Sequence, residues 1–159
     1  MLKLIQDDVT IEVKVWEEEQ EPLDAIVLPA TDKQRSDLGR AAVGQAWMAW
    51  SPIASTTRMI KFMPPTSWAE SERCDLLQSY RFAIRVAENH EIASLSLPLP
   101  CHAGLGKGDE KLAAALSRTV LAQCRHLNHL RHVRLLGSEE QEVILYANQL
   151  VEEQKVNNG

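Results

Sequence analysis

An α/β layered fold is what this sequence predicts, on two observations. Short apolar or strictly alternating runs recur along it, and segments with apolar residues at helical spacing lie between them. Polar loops rich in glycine or proline follow several of the short runs, as strand-to-helix connections require. The first run, Val9-Thr10-Ile11-Glu12-Val13-Lys14-Val15, places Val and Ile on one face and Thr, Glu and Lys on the other. That pattern predicts a half-buried strand close to a sheet edge. The acidic run at 17–21 reads as a solvated loop, and Pro22 leads into Ala25-Ile26-Val27-Leu28. Four apolar residues in a row suit a strand covered on both faces, and Pro29 ends it.

Residues 37–50 carry Leu38, Ala41, Ala42, Gln45, Ala46 and Ala49 at helical spacing, with Ser36 or Asp37 as N-cap. A strand is predicted over 58–63, stopped by Pro64-Pro65. Thr66 or Ser67 then caps a helix over about 68–89, whose apolar stripe is Leu76, Leu77, Tyr80, Ala83, Ile84 and Ala87. A short strand at 92–97 runs into a glycine-rich loop at 98–109, followed by a helix over about 110–124. A strand at 132–137 and a helix at 139–155 complete the series. With no linker, repeat or composition shift, residues 1–159 form a single domain, its last few residues disordered.

Bulk composition bounds the function. A chain of 159 residues with 45% hydrophobic and 25% charged residues is long enough for a real core. A net charge of −5 disfavours binding to a DNA or RNA backbone, which wants a basic field. A single nucleotide remains open to it, since backbone amides can hold one. Cys74, Cys101 and Cys124 are odd in number and lack C-x-x-C spacing, which argues against a disulfide framework or structural zinc. The first eight residues hold no apolar signal core and no run is long enough to span a membrane, so a cytoplasmic location is expected.

Four landmarks, in order, resemble the macro domain, the ADP-ribose-binding module. Asp24-Ala25-Ile26-Val27 is similar to the strand half of that family's D-A-I-V-N-A-A-N signature. Ile60-Lys61-Phe62-Met63-Pro64 is similar to its V-x-H-x-V-x-P strand, and Ser94-Leu95-Ser96-Leu97-Pro98 to its S-I-A-F-P strand. Ala103 to Asp109 is similar to its G-x-G-L-x-x-G-D phosphate loop. The resemblance covers nearly the whole chain. It implies a three-layer α/β/α sandwich with a mixed central sheet, and ADP-ribose or a related nucleotide as ligand. The site would lie at the carboxyl ends of the strands at 25–28 and 92–97, where open α/β sheets bind ligands.

The signature's polar half departs from the family. Leu28 and Thr31 stand where the family has its two asparagines, and of the glycine run that follows only Gly39 remains. Thr31 occupies the position that handles the distal ribose; its bland reading is a turn former. Glu17 falls where the family sets an acid against the adenine amino group, and its bland reading is one of a solvated charge run. Lys33 and Arg35 are cations for a phosphate or carboxylate, or simply solvated. The phosphate loop is closer to the pattern. Gly104, Leu105, Gly106 and Gly108 can present backbone N–H groups to a diphosphate beside a helix N-terminus, or can form a flexible connection. Asp32, Asp37 and Asp109 are the weak candidates for an acid–base group.

Other residues carry alternative chemistry. Cys101 and His102 are adjacent thiol and imidazole, although such pairs are usually assembled from distant parts of a chain. His126, His129 and His132 have ligand-like spacing, but with Arg125 and Arg131 they read first as cations at a helix C-terminus. Trp47, Trp50 and Trp68 could line a groove for a base, and Trp47 and Trp50 read more simply as the apolar face of one helix. No metal and no cofactor are expected. Three functions follow from the resemblance: non-catalytic nucleotide binding, a protein-interaction module using the acidic surface or an aromatic helix over 46–50, and weak hydrolysis of an ADP-ribosyl ester.

Overall fold

The computed structural model describes residues 2–18, 20–49, 57–67 and 69–158. Seven strands form one mixed sheet: β1 (Leu2–Gln6), β2 (Val9–Val15), β3 (Ala25–Pro29), β4 (Ala46–Ala49), β5 (Arg58–Phe62), β6 (Ser94–Pro98) and β7 (His132–Gly137). Their order across the sheet is β1-β2-β7-β6-β3-β5-β4. The inner strands are parallel, and the edge strands β1 and β4 run antiparallel to β2 and β5. The helices are α1 (Asp32–Leu38), α2 (Arg73–Asn89), α3 (Glu110–Gln123) and α4 (Glu140–Asn158). The α/β class with a mixed central sheet agrees with the expectation.

Alternation decides the two faces of the sheet. Val9, Ile11, Val13, Leu95, Leu97, Val133, Ile60 and Phe62 all point one way and are fully buried. Against them lie the apolar stripes of three helices, including Leu76, Tyr80, Ala83, Ile84 and Ala87 of α2 and Leu112, Leu116 and Val120 of α3. α3 packs against both α2 and α4. The other face is more polar. Register places Glu12, Arg134, Ser96, Ile26 and Met59 side by side across it. The loop from β2 to β3 passes over this face, held where Arg134 Nη1 donates to the Glu21 carbonyl at 2.7 Å.

Tyr80 links the helix layer to the carboxyl end of β6. Its hydroxyl, fully buried, donates to the Pro98 carbonyl at 2.6 Å, and its ring meets Phe62 edge-on at 5.1 Å. Tyr80→Phe keeps the ring and orphans that carbonyl. The expected cost is about 1–1.5 kcal/mol in urea unfolding, the net worth of one hydrogen bond. An unchanged midpoint would show that Pro98 finds another donor.

Several expected elements differ. β1 was not foreseen, because Leu2–Gln6 lacks clean alternation of polar and apolar residues. The helix expected over 37–50 does not form. Gly39 and Gly44 take φ of +74° and +90°, where a helix cannot continue, so α1 closes at Leu38 and a short turn precedes β4. The aromatic helix expected over 46–50 is therefore the edge strand β4, with Trp50 outside the described residues. α2 starts at Arg73 rather than 68, after a 3-10 turn at Glu70–Glu72. α4 continues to Asn158. Among the described residues, no helix is long and apolar enough to cross a membrane.

Candidate functional site

The parallel strands β7, β6, β3 and β5 are neighbours, and their carboxyl ends share one rim of the sheet. Their exit loops form the candidate site. After Pro98 the chain stays tied to β7, Leu99 N donating to Leu136 O at 2.7 Å. The glycine loop then folds on itself. Ala103 N donates to Leu99 O at 2.9 Å, Gly104 N to Cys101 O at 3.1 Å and Leu105 N to Pro100 O at 2.9 Å. Those donors are spent inside the loop. The N–H groups of Gly106 and Gly108 make no hydrogen bond among the described residues. Gly104 and Gly106 have φ of +84° and +79°, and a Cβ at Gly108 would sit 2.5 Å from Leu112 Cδ2, so that side chain would have to shift.

Asp109 closes the loop as the N-cap of α3, its Oδ1 accepting from Leu112 N at 2.9 Å. Glu142, in the first turn of α4, was not singled out by sequence. Its carboxylate accepts from Cys101 N at 2.7 Å and from Ser138 N at 2.9 Å, joining the glycine loop to the β7 exit. Burial pushes its carboxyl above the usual range, against the pull of those two N–H groups and with help from Glu139. Lys107 meets Glu139 at 2.8 Å, so this cation of the loop is paired with the residue just before α4.

At the β3 exit, Thr31 is the N-cap of α1. Its hydroxyl accepts from Gln34 N at 3.1 Å, while Thr31 N donates to Gln34 Oε1 at 2.8 Å. This is a capping box, so both polar groups of Thr31 hold helix rather than face an open site. Asp32 is exposed in the first turn of α1, and Asp37 pairs with Lys33 at 3.1 Å on the surface. Asp32, Asp37 and Asp109 therefore serve two different helices and do not share one catalytic position.

Glu17 is exposed at the rim of a cavity of about 260 Å³ that also touches Ser96 and Arg134. Beside it Trp16, which the sequence reading passed over, lies against His102 with ring centroids 5.9 Å apart. Burial lowers the pKa of His102 and favours the neutral ring. That contact brings the β2 exit and the glycine loop together. Trp47 sits half-buried on edge strand β4, and Trp68, like Trp50, lies outside the described residues. His126, His129 and His132 do not converge. His126 N donates to Asp7, His129 N to Glu88, and the His132 ring faces Glu12. Among the described residues, no group of three His, Cys, Asp or Glu is placed to hold a metal.

Another cavity opens between α1 and the start of α2. It measures about 520 Å³, and no glycine-loop residue lines it. Arg35 and Arg40 stand on its rim, Met63 and Pro65 on its floor.

Solved structures share this arrangement over nearly its full length. A variant of the Oceanobacillus iheyensis macrodomain, determined with ADP-ribose, superposes with a TM-score of 0.76 at 16% identity, covering 97% of this chain and 98% of that one. This chain has the macrodomain fold. The macro domain of ganglioside-induced differentiation-associated protein 2 matches with a TM-score of 0.69 at 17% identity, covering 94% of this chain and 88% of its own. The Trypanosoma brucei macrodomain, determined with ADP, matches with a TM-score of 0.60 at 16% identity, over 88% of this chain and 68% of that one. No family model and no curated protein sequence matches the chain.

Proposed function

We propose that this domain binds a nucleotide-type ligand at the strand-end rim, with ADP-ribose the first candidate, and that it does so without catalysing a reaction. The observation that carries the reading is the glycine loop between β6 and α3. Gly106 and Gly108 have unspent N–H groups directly before a helix N-terminus, an arrangement that favours a phosphate oxygen. The macrodomain fold supports the choice of ligand, since structures of that fold were determined with ADP-ribose and ADP. Trp16 and Glu17 at the β2 exit offer an aromatic face and a carboxylate to a base. The non-catalytic reading follows from the first loop: Leu28 and Thr31 replace amide side chains, and Thr31 is engaged in its capping box.

Isothermal titration of ADP-ribose tests this, with Gly104→Glu as control. Gly104 has open space around its Cα but a positive φ, so a glutamate there strains the loop and adds a negative charge. Saturable heat that the variant abolishes supports binding over the loop, as would a ligand-dependent rise in melting temperature. A folded protein giving no heat overturns the reading. A second reading, a protein-interaction module, draws on the same self-bonded loop and occupied Thr31. It predicts no response to nucleotides and a change in hydrodynamic size with a protein partner. Weak ester hydrolysis through Asp32, Asp37 or Asp109 predicts release of free ADP-ribose that one of three single Asp→Asn changes removes.

A further inference from the structure

We infer that the cavity between α1 and α2 is a second ligand site, separate from the glycine loop, that takes a phosphomonoester carried on a body with hydroxyl or amino donors, of the size of a nucleoside monophosphate. The cavity's volume, about 520 Å³, lies in the range of small-molecule sites. Its walls differ in chemistry. Arg35 and Arg40 line the side formed by α1 and the turn after it, and neither guanidinium makes a hydrogen bond or ion pair among the described residues. Two unspent guanidinium groups at one rim suit a dianion such as a phosphate, which an arginine fork meets with paired donors.

The opposite wall is acidic. Glu72 and Asp75 stand three residues apart at the start of α2, so they share one helix face. Glu72 already accepts from Ser67 Oγ at 2.9 Å, and Asp75 has no side-chain partner among the described residues. A carboxylate there accepts from a hydroxyl or an amino group, which selects a bifunctional ligand over a bare anion. Between the two walls, Met63 and Pro65 are buried and give an apolar floor for a ring. The frame is firm. Gly44 N donates to Met63 O at 2.7 Å and Met63 N to Gln45 O at 2.9 Å, locking the segment after α1 to the end of β5.

The departure from the macro-domain pattern gains a physical sense from this site. The stretch from Lys33 to Gly39, where that family resemblance expects glycines, supplies Arg35 and leads to Arg40. Bulk and charge replaced backbone exposure, and no glycine-loop residue lines the cavity that the cationic rim borders.

Titration with adenosine 5′-monophosphate tests the inference, with adenosine and inorganic phosphate as the arms that separate its parts. The nucleotide is expected to bind at least about tenfold more tightly than either fragment, since both walls then contribute. Arg35→Ala and Arg40→Ala are each expected to weaken the nucleotide about tenfold and to leave adenosine unchanged, with the melting temperature of the free protein preserved. Asp75→Asn should weaken both nucleotide and nucleoside. Gly104→Glu should leave nucleotide binding intact. Absence of binding, or binding that survives when both arginine changes are combined with Gly104→Glu, overturns the inference. Nucleotide binding lost in Gly104→Glu and kept in the arginine variants also overturns it, and assigns the ligand to the glycine loop. Failure of ADP-ribose to bind, with the arginine-dependent site intact, counts against the glycine-loop reading alone.

Discussion

Glu12→Ala is expected to destabilise the protein by about 3 kcal/mol at neutral pH, the low end for breaking a buried ion pair. Glu12 lies in the middle of β2 on the polar sheet face and is 4% exposed. Its Oε2 faces two groups of the adjacent strand β7: His132 Nε2 at 3.0 Å and Arg134 Nε at 3.5 Å. Burial alone would push the Glu12 carboxyl up. The hydrogen bond with His132 and the charges of Arg134, His132 and Lys3 outweigh it and hold the group below the usual carboxylate range. Among the described residues, alanine leaves Arg134, 7% exposed, with only the Glu21 carbonyl. A neighbouring cavity lets water reach that guanidinium, which is why the low end applies. Because the folded-state pKa is depressed, the stabilisation is present above the ordinary carboxylate range and is lost as pH falls through the folded value. The melting-temperature gap between wild type and variant should thus be about 6–12 °C at pH 7 and should narrow in acid. A gap of a degree or less at pH 7, or one constant down to pH 3, would sink this account.

That carboxylate also shows where sequence patterning stops. The alternation at 9–15 correctly places Glu12 on the outer face of an edge-proximal strand, and the default for such a residue is solvation. Nothing local says that β7 brings His132 and Arg134 beside it, since that pairing is set by strand order across a sequence separation of 120. Strands were legible where period-2 or apolar runs were bounded by turn residues, as at 25–29 and 132–137. The segment 37–50 misled because alanine is a strong helix former, and its spacing outweighed two glycines that the chain uses at positive φ. The N-cap role of Thr31 was legible too: Thr31-Asp32-Lys33-Gln34 has the spacing of a capping box. Of the candidate site, the glycine loop could be read from its composition. The cavity beside α1 could not, because Arg35 and Arg40 come to line one cavity with Glu72 and Asp75 only once β3 and β5 pair.

Glu142→Ala is expected to be costly for the opposite electrostatic reason. Its carboxylate is the acceptor for Cys101 N and Ser138 N, and alanine leaves two N–H groups and a small void at the junction of glycine loop, β7 and α4. With about 1–3 kcal/mol for each buried donor left unmet, and water able to reach one of them, a loss of about 2–4 kcal/mol is expected. Here burial raises the folded-state pKa. A raised carboxyl contributes stability that is fully present below the unfolded pKa and declines as pH rises through the folded one. The gap to wild type should therefore widen as pH drops from neutral toward 4, the reverse of Glu12→Ala. Two buried glutamates of one fold then give melting-temperature gaps that move in opposite directions over the same titration. A local readout separates loop release from global loss. Cys101 is half-buried in the loop that Glu142 ties down, Cys74 is exposed, and Cys124 is buried with its thiol pushed up to about 12. Under native conditions Glu142→Ala should speed alkylation of Cys101 relative to Cys74, and leave Cys124 unreactive. Equal acceleration of Cys101 and Cys124 would mean that the variant loosens the whole core, and Glu142 would then be no specific tether of the loop.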